Sequence, residues 1–175
     1  NIKLMDANIL ACRDRKELLQ QLIDSKAKID FVQGLDARFI TEDVVKQLKQ
    51  MRVSMYHFAF DFMKNEKQIV KGLETFVKAM EYNDNKSRNC YVYILTHYNT
   101  TFQEDMRRVN LVRQIGLAPD IRIYRKPTAP RILKDLQRWC NNRFIYRSVP
   151  DFADYVPRVD GKTIRETYKE DLKNE

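Results

Sequence analysis

The sequence predicts an α/β protein whose strands form a parallel sheet under helical cover. Short β-rich apolar runs alternate with longer helical patterns. The runs begin at intervals of roughly 25 to 35 residues, the length of one βα unit. No GxGxxG follows the first run, so a dinucleotide-binding open sheet lacks its best signal. The alternation is compatible with an open doubly wound sheet and with an arc of a barrel.

The expected strands, in order, are IKLMD (2–6), KIDFVQ (28–33), SMYHFAF (54–60), CYVYILT (90–96) and IRIY (121–124). Helices are expected near 13–26, 41–50, 66–82, 102–115 and 130–140. Leu18, Leu19, Leu22 and Ile23 recur at helical spacing, as do Val109, Val112 and Ile115. Thr41 can cap the helix that opens Glu42-Asp43, acids that suit the positive end of a helix dipole. Thr101-Phe-Gln-Glu104 fits a capping box, and Asn65-Glu-Lys-Gln68 is a weaker version. Pro130 fits a first helical turn and Gly116 a C-terminal stop. His57, inside SMYHFAF, reads as a hydrogen-bonded core or helix-facing histidine. After residue 148 a Pro-punctuated connection leads to a charged tail. Its Ile164, Tyr168 and Leu172 share one helical stripe, which predicts a peripheral docked helix.

With 175 residues and 43% hydrophobic content, the chain can bury one sizeable core. No run approaches the ~20 apolar residues of a membrane span, and no signal segment opens the chain. Cys12, Cys90 and Cys140 are scattered and odd in number, which excludes a disulfide framework and a CxxC metal knot. They read as reduced thiols of a cytoplasmic protein, and no metal site is expected within the chain. The opening NIKLMD begins inside an expected strand without a methionine, so the sequence reads as a fragment of a longer chain.

The net charge is +8. Residues 122–147 carry Arg122, Arg125, Lys126, Arg131, Lys134, Arg138, Arg143 and Arg147 against Asp135 alone. Tyr124, Trp139, Phe144 and Tyr146 are interleaved with them. Basic and aromatic groups together suit single-stranded nucleic acid. Trp139 shares a helical pattern with Leu133 and Leu136, so core packing is the better reading for it.

Parallel βα folds bind ligands beyond the carboxyl ends of their strands. Those ends here present Asp6 and Asn8; Gln33, Gly34, Asp36 and Arg38; Asp61; His97 and Asn99; and Tyr124 with Arg125. Singly, Asp6 could cap a helix, Gly34 could serve a turn, and Asp36 with Arg38 could fix a loop. Together, five polar ends predict a site at one rim. If the strand continues, Asp36 and Arg38 point to one side. An acid can hold a hydroxyl or an ammonium, and a guanidinium can hold a carboxylate through two parallel bonds.

The segments IKLMDANIL, DFVQGLDARFITEDVVKQL, YHFAFD and YVYILTHYNTTFQEDMRRVNLVRQIG, in this order, resemble radical S-adenosylmethionine (radical SAM) proteins over about residues 2 to 147. The resemblance implies an incomplete (β/α)6 radical-SAM-type barrel arc of about five parallel strands with outer helices, the family's strands two to six. Residues 1–147 would form it, with 148–175 as the connection and peripheral charged helix. In the family a [4Fe-4S] cluster, held by CxxxCxxC, cleaves S-adenosylmethionine to a 5′-deoxyadenosyl radical that abstracts a substrate hydrogen. By resemblance, Asp6 and Asn8 fall near the methionyl amino group. Gln33, Asp36 and Arg38 face cofactor or substrate, Asp61 is the ribose contact, His97 and Asn99 lie beside the adenosyl group, and Tyr124 ends the strand bordering adenine.

No CxxxCxxC occurs in these residues, and the fifth strand ends in LTHYN without the family's glycine pattern. The chain is therefore expected to be the C-terminal share of such an enzyme, inactive alone. A basic nucleic-acid-binding module and a cofactor-free scaffold are the alternatives. The edge beside residues 2–6 is expected to be unpaired and open to self-association. The substrate is not identified.

Overall fold

A computed structural model describes residues 1–6, 8–82, 89–158, 161–170 and 172. The protein is α/β. Its strands are β1 (Ile2–Leu4), β2 (Lys28–Phe31), β3 (Arg52–Val53), β4 (Tyr56–Ala59), β5 (Cys90–Thr96) and β6 (Ala118–Ile123). They form two three-stranded sheets, ordered β1-β2-β3 and β4-β5-β6. No closed barrel forms among the described residues: β1 pairs with β2 alone and is an edge. The chain divides into two compact units, one of residues 1–93 and 111–118, the other of residues 94–110 and 119–175.

In the first unit, β1 runs parallel to β2 with Ile2 opposite Ile29. β3 pairs parallel with the start of β2, and β4 pairs parallel with β5, Tyr56 opposite Cys90. β4 lies within the expected strand 54–60, and β3 precedes it as a separate short strand. At the break, Ser54 donates its backbone N–H and its hydroxyl to the Ile29 carbonyl, at 2.9 and 3.0 Å. A parallel bridge between Leu35 and Phe58 follows, with Leu35 N donating to His57 O at 2.6 Å.

Consecutive parallel neighbours joined by right-handed crossovers place their helices on one face. The burial pattern agrees. Tyr56, Phe58, Cys90 and Val92 are buried, and the Phe76 ring lies 5.0 Å from Tyr56 and 4.8 Å from Phe58. His57, Ala59, Tyr91 and Tyr93 alternate with them on the opposite face and are half-buried. The covering helices are α1 (Arg15–Asp24), α2 (Glu42–Lys49) and α3 (Glu66–Met80). The Thr41 hydroxyl caps α2 by accepting from Val44 N at 3.3 Å, and the helix buries Val44, Val45 and Leu48. α3 buries Ile69, Leu73 and Phe76. Asn65 makes no side-chain cap; a 3-10 turn, Met63–Asn65, leads directly into the helix, so the weaker capping box does not form.

The second unit holds the end of β5, most of α4 (Phe102–Gln114), most of β6, α5 (Arg131–Asn141), α6 (Arg143–Ser148) and α7 (Ile164–Thr167). The Thr101–Glu104 capping box is reciprocal, at 2.7 Å from Thr101 N to Glu104 Oε2 and 3.2 Å from Glu104 N to Thr101 Oγ1. α5 buries Leu133, Leu136 and Trp139. The Trp139 indole donates to Val149 O at 2.9 Å and stacks edge-on against Tyr146. The C-terminal segment docks on the same helix. Ile164 is buried, and the Tyr168 hydroxyl donates to the buried Asp135 at 3.0 Å. The expected peripheral helix is thus a single turn, anchored by two members of its predicted stripe. No helix among the described residues is long and apolar enough to cross a membrane.

Candidate functional site

In the first unit, one cavity of about 390 Å³ opens where the chain leaves β2 and β4. It is lined by Asn8, Gln33, Asp36, Arg38 and Asp61, with Gly34, Ala59 and Phe62 among its other walls. Five nominated residues from three strand ends therefore share one pocket. Asp6 is not in its lining; its Oδ1 accepts from Asn8 N at 2.8 Å and shapes the turn after β1.

The pocket is built by local bonds. Asn8 caps a 3-10 turn, Ile9–Ala11, with its Oδ1. Its Nδ2 donates to Asp36 Oδ2 at 2.8 Å, tying the loop after β1 to the loop after β2. β2 ends at Phe31, and Gly34 turns the chain with φ +86°, a conformation that favours glycine. Asp36 then caps the 3-10 turn Ala37–Phe39 by accepting from Arg38 N at 3.0 Å. The expectation that Asp36 and Arg38 lie along one side of a continuing strand is corrected here: they sit on a capped turn. They grip each other through Nε and Nη2, at 2.9 and 2.6 Å. Burial pushes the Asp36 carboxyl up, but the bonds from the Arg38 side chain and backbone and from Asn8 outweigh it and hold it below its ordinary value. The turn is seated on α3, where Gly72 lets helix backbone meet the backbone of Ala37; a Cβ there would lie 1.8 Å from Ala37 O.

A larger cavity, about 540 Å³, lies between α2 and α3. Its lining alternates Lys46, Lys49, Lys71 and Lys78 with Glu42, Glu74 and Glu81, charges that offset one another, as in the 3.7 Å pair of Lys49 with Glu81. The rim pocket is the better candidate despite its smaller size, because parallel sheets present their ligand-binding groups at strand carboxyl ends. Its volume falls in the range of small-molecule sites, roughly 300–1,000 Å³.

His97, Asn99 and Tyr124 lie in the second unit. His97 and Asn99 hold left-handed backbone, φ 62° and 54°. Tyr124 N donates to Thr96 O at 2.9 Å. Its ring meets Tyr98 at 4.9 Å and lies 5.3 Å beneath the Arg125 guanidinium. The loop after β5 is fixed from below by Asp105 and Arg108, both fully buried and paired with each other. Asp105 also accepts from the Thr100 hydroxyl at 2.8 Å and from the His97 backbone. Arg108 donates to Leu95 O at 2.9 Å. Sequence reasoning missed Arg108; its one sign of burial is its place four residues before the buried Val112 on α4.

Among the basic residues of 122–147, Arg122 pairs with Asp120 at 3.0 Å and Arg131 with Asp135 at 3.2 Å. Trp139 is core, as its spacing predicts, while Phe144 is 87% exposed and Tyr124 partly so. Cys12 is exposed, Cys90 and Cys140 are buried, and none forms a disulfide. No group of three or more metal-ligating side chains occurs among the described residues. His57 is not helix-facing, and its Nδ1 has no hydrogen-bond partner among the described residues. Its ring lies on the sheet face opposite α3, stacked on Tyr93.

The chain matches no protein-family model, and comparison with curated proteins and with solved structures gives no significant match.

Proposed function

We propose that this chain carries the S-adenosylmethionine-binding rim of a radical SAM enzyme, on an incomplete (β/α)6 barrel arc. One observation carries the reading: Asn8, Gln33, Asp36, Arg38 and Asp61, nominated from three separate strand ends, line a single pocket of small-molecule size. The donor set suits the cofactor. Asp61 offers a carboxylate to hydroxyls or an ammonium, Asn8 and Gln33 offer amides, and Arg38 brings a guanidinium whose Nη1 stands outside its pair with Asp36. When bound beside a reduced [4Fe-4S] cluster, S-adenosylmethionine supplies a 5′-deoxyadenosyl radical for hydrogen abstraction. The cluster ligands lie outside these 175 residues in this reading, so the chain by itself binds the cofactor without cleaving it. Its own work is to bind and orient.

Isothermal titration of the chain with S-adenosylmethionine tests this. Saturable binding is expected, weakened at least about tenfold by Asp61→Ala, as befits loss of a charged hydrogen bond. Lys46→Ala, in the helix-lined cavity, leaves it unchanged. Absence of binding at millimolar cofactor, or equal loss in both variants, sinks the reading.

A further inference from the structure

Two walls of the rim pocket have no part in the cofactor reading: Phe62 and Asn65. Asn65 ends the 3-10 turn that leads into α3, Phe62 directly precedes that turn, and Asn65 N donates to Phe62 O at 3.3 Å. The Phe62 ring is 52% exposed and meets no other aromatic ring among the described residues. A single exposed ring is ordinary on a protein surface. Phe62 differs because it walls a cavity, whose lining also includes the apolar Ala59 and Ile69. Asn65 holds the position before α3, where asparagine is among the best helix caps. Its side chain makes neither that cap nor any other hydrogen bond among the described residues. The Gln33 side chain, another wall, is likewise without a hydrogen bond among them. An amide carries a donor and an acceptor side by side. The cavity thus combines an unstacked ring with two amides whose bonding capacity the protein does not use.

We infer that the rim pocket takes a planar heteroaromatic ring of nucleobase type, stacked on Phe62 and hydrogen-bonded along its edge by the Asn65 amide. The inference rests on the rim pocket being a small-molecule site, as the cofactor reading also requires. Aromatic side chains stack on any base, because every base has a π-face. An amide pairs through two bonds with a ring edge that sets a donor beside an acceptor, as the adenine edge does. An aliphatic chain lacks such an edge, and an inorganic anion has no face to stack. The ring can come from two sources, the adenine of S-adenosylmethionine or a ring of the substrate, and the chemistry of the site is the same for both.

The probes are adenosine, uridine, methionine and S-adenosylmethionine, added separately to the whole chain and followed by calorimetry and by proton NMR of the ligand. Adenosine is expected to bind, with its base protons moved upfield by the Phe62 ring. Phe62→Leu, which stays apolar but has no ring, abolishes that movement and weakens adenosine about tenfold, and Phe62→Trp keeps both. Asn65→Asp retains an acceptor that can cap α3 but has no donor, so it weakens adenosine about tenfold and leaves the urea midpoint unchanged. Methionine, without a ring, binds wild type and Phe62→Leu alike. Displacement of S-adenosylmethionine by adenosine assigns the ring to the cofactor, and binding of both together assigns it to the substrate. If S-adenosylmethionine binds wild type and Phe62→Leu equally and no nucleoside binds through Phe62, the inference is overturned and the cofactor reading stands. If adenosine or uridine binds through Phe62 while S-adenosylmethionine does not bind, the cofactor reading falls and the inference stands. If no ring-bearing probe binds at millimolar concentration, the inference is wrong. Magnetisation transfer between the Phe62 ring and the base protons in the wild-type protein decides the matter even if a variant fails to fold.

Discussion

The loops around the rim pocket and the loop after β5 both present polar side chains at strand carboxyl ends, but opposite means hold them. Around the pocket, the bonds that shape the loops are made by the lining residues themselves: Asn8 to Asp36, and Asp36 to Arg38, whose side chain is 39% exposed. After β5, the shaping groups are hidden. Asp105 and Arg108 are 1% and 0% exposed, and they anchor a loop that keeps His97 and Asn99 in left-handed backbone. Left-handed conformations are uncommon away from glycine and persist where the surroundings over-determine them. In the first region the shaping bonds are made by the pocket-lining side chains themselves; in the second the shaping groups are hidden beneath the loop. Substitutions at the pocket should therefore alter binding more than folding, and substitutions beneath the β5 loop should do the reverse.

The largest effect expected from this contrast is at Arg108. Its removal leaves the Asp105 carboxylate buried without its cation, and breaking a buried pair in this way costs about 3–5 kcal/mol. Arg38→Ala breaks a pair open to solvent and is expected to cost at most about 1 kcal/mol. Urea denaturation of the two variants checks the difference. Equal losses would erase the distinction between the regions.

Gly72→Ala comes next. In an ordinary helix interior this change stabilises by roughly 0.5–1 kcal/mol. Here the added methyl would meet the Ala37 carbonyl, backbone against backbone, and overpacking of that kind costs about 1–3 kcal/mol. The seat of the Asp36–Arg38 turn would shift with it. The variant is thus expected to lose both thermal stability and affinity for the pocket's ligand, whereas Arg38→Ala loses mainly affinity. A stabilised Gly72→Ala protein would show that α3 does not position the turn.

The sequence was most readable where structure depends on short-range chemistry. Thr41 and the Thr101–Glu104 box stand at their helix starts, and Gly116 takes the left-handed conformation expected of a stop. It was least readable where neighbours distant in the chain decide. Pro119 lies inside β6, which begins at Ala118, because its ring only removes a donor; read alone, proline argues for a loop. The strand expected at 54–60 begins only at Tyr56, because Ser54 is held by Ile29 of the other sheet. α6 is capped by Asn142, whose side chain accepts from Phe144 and Ile145 at 3.1 and 3.3 Å, a signal hidden directly behind the end of α5. At the site, residue types pointed to the pocket, but the course of the chain through Gly34 did not follow from them. Asp36 and Arg38 therefore reach the rim on a turn and not by strand alternation.

The smallest expected effect is a difference in pH dependence between Asp36 and Asp105. Asp36 has a folded-state pKa below its ordinary value, since the Arg38 and Asn8 bonds outweigh burial. Its contribution is present above the ordinary carboxylate value and is lost as pH falls through that value toward the depressed one. Asp105 is shifted upward, because burial outweighs the Thr100 and Arg108 interactions. Its term runs the other way: most favourable below the ordinary value and lost as pH rises through the raised one. Asp36→Asn should therefore flatten the fall in stability on acidification, and Asp105→Asn should steepen it. Solvent screening of Arg38 keeps the Asp36 term within about 1 kcal/mol, so the slopes of stability against pH are the measure and not the midpoint at neutral pH. Parallel slopes for wild type and Asp36→Asn would mean that the Arg38 and Asn8 bonds orient the carboxylate without favouring its charge, and the pocket would then owe its shape, but not its electrostatics, to that pair.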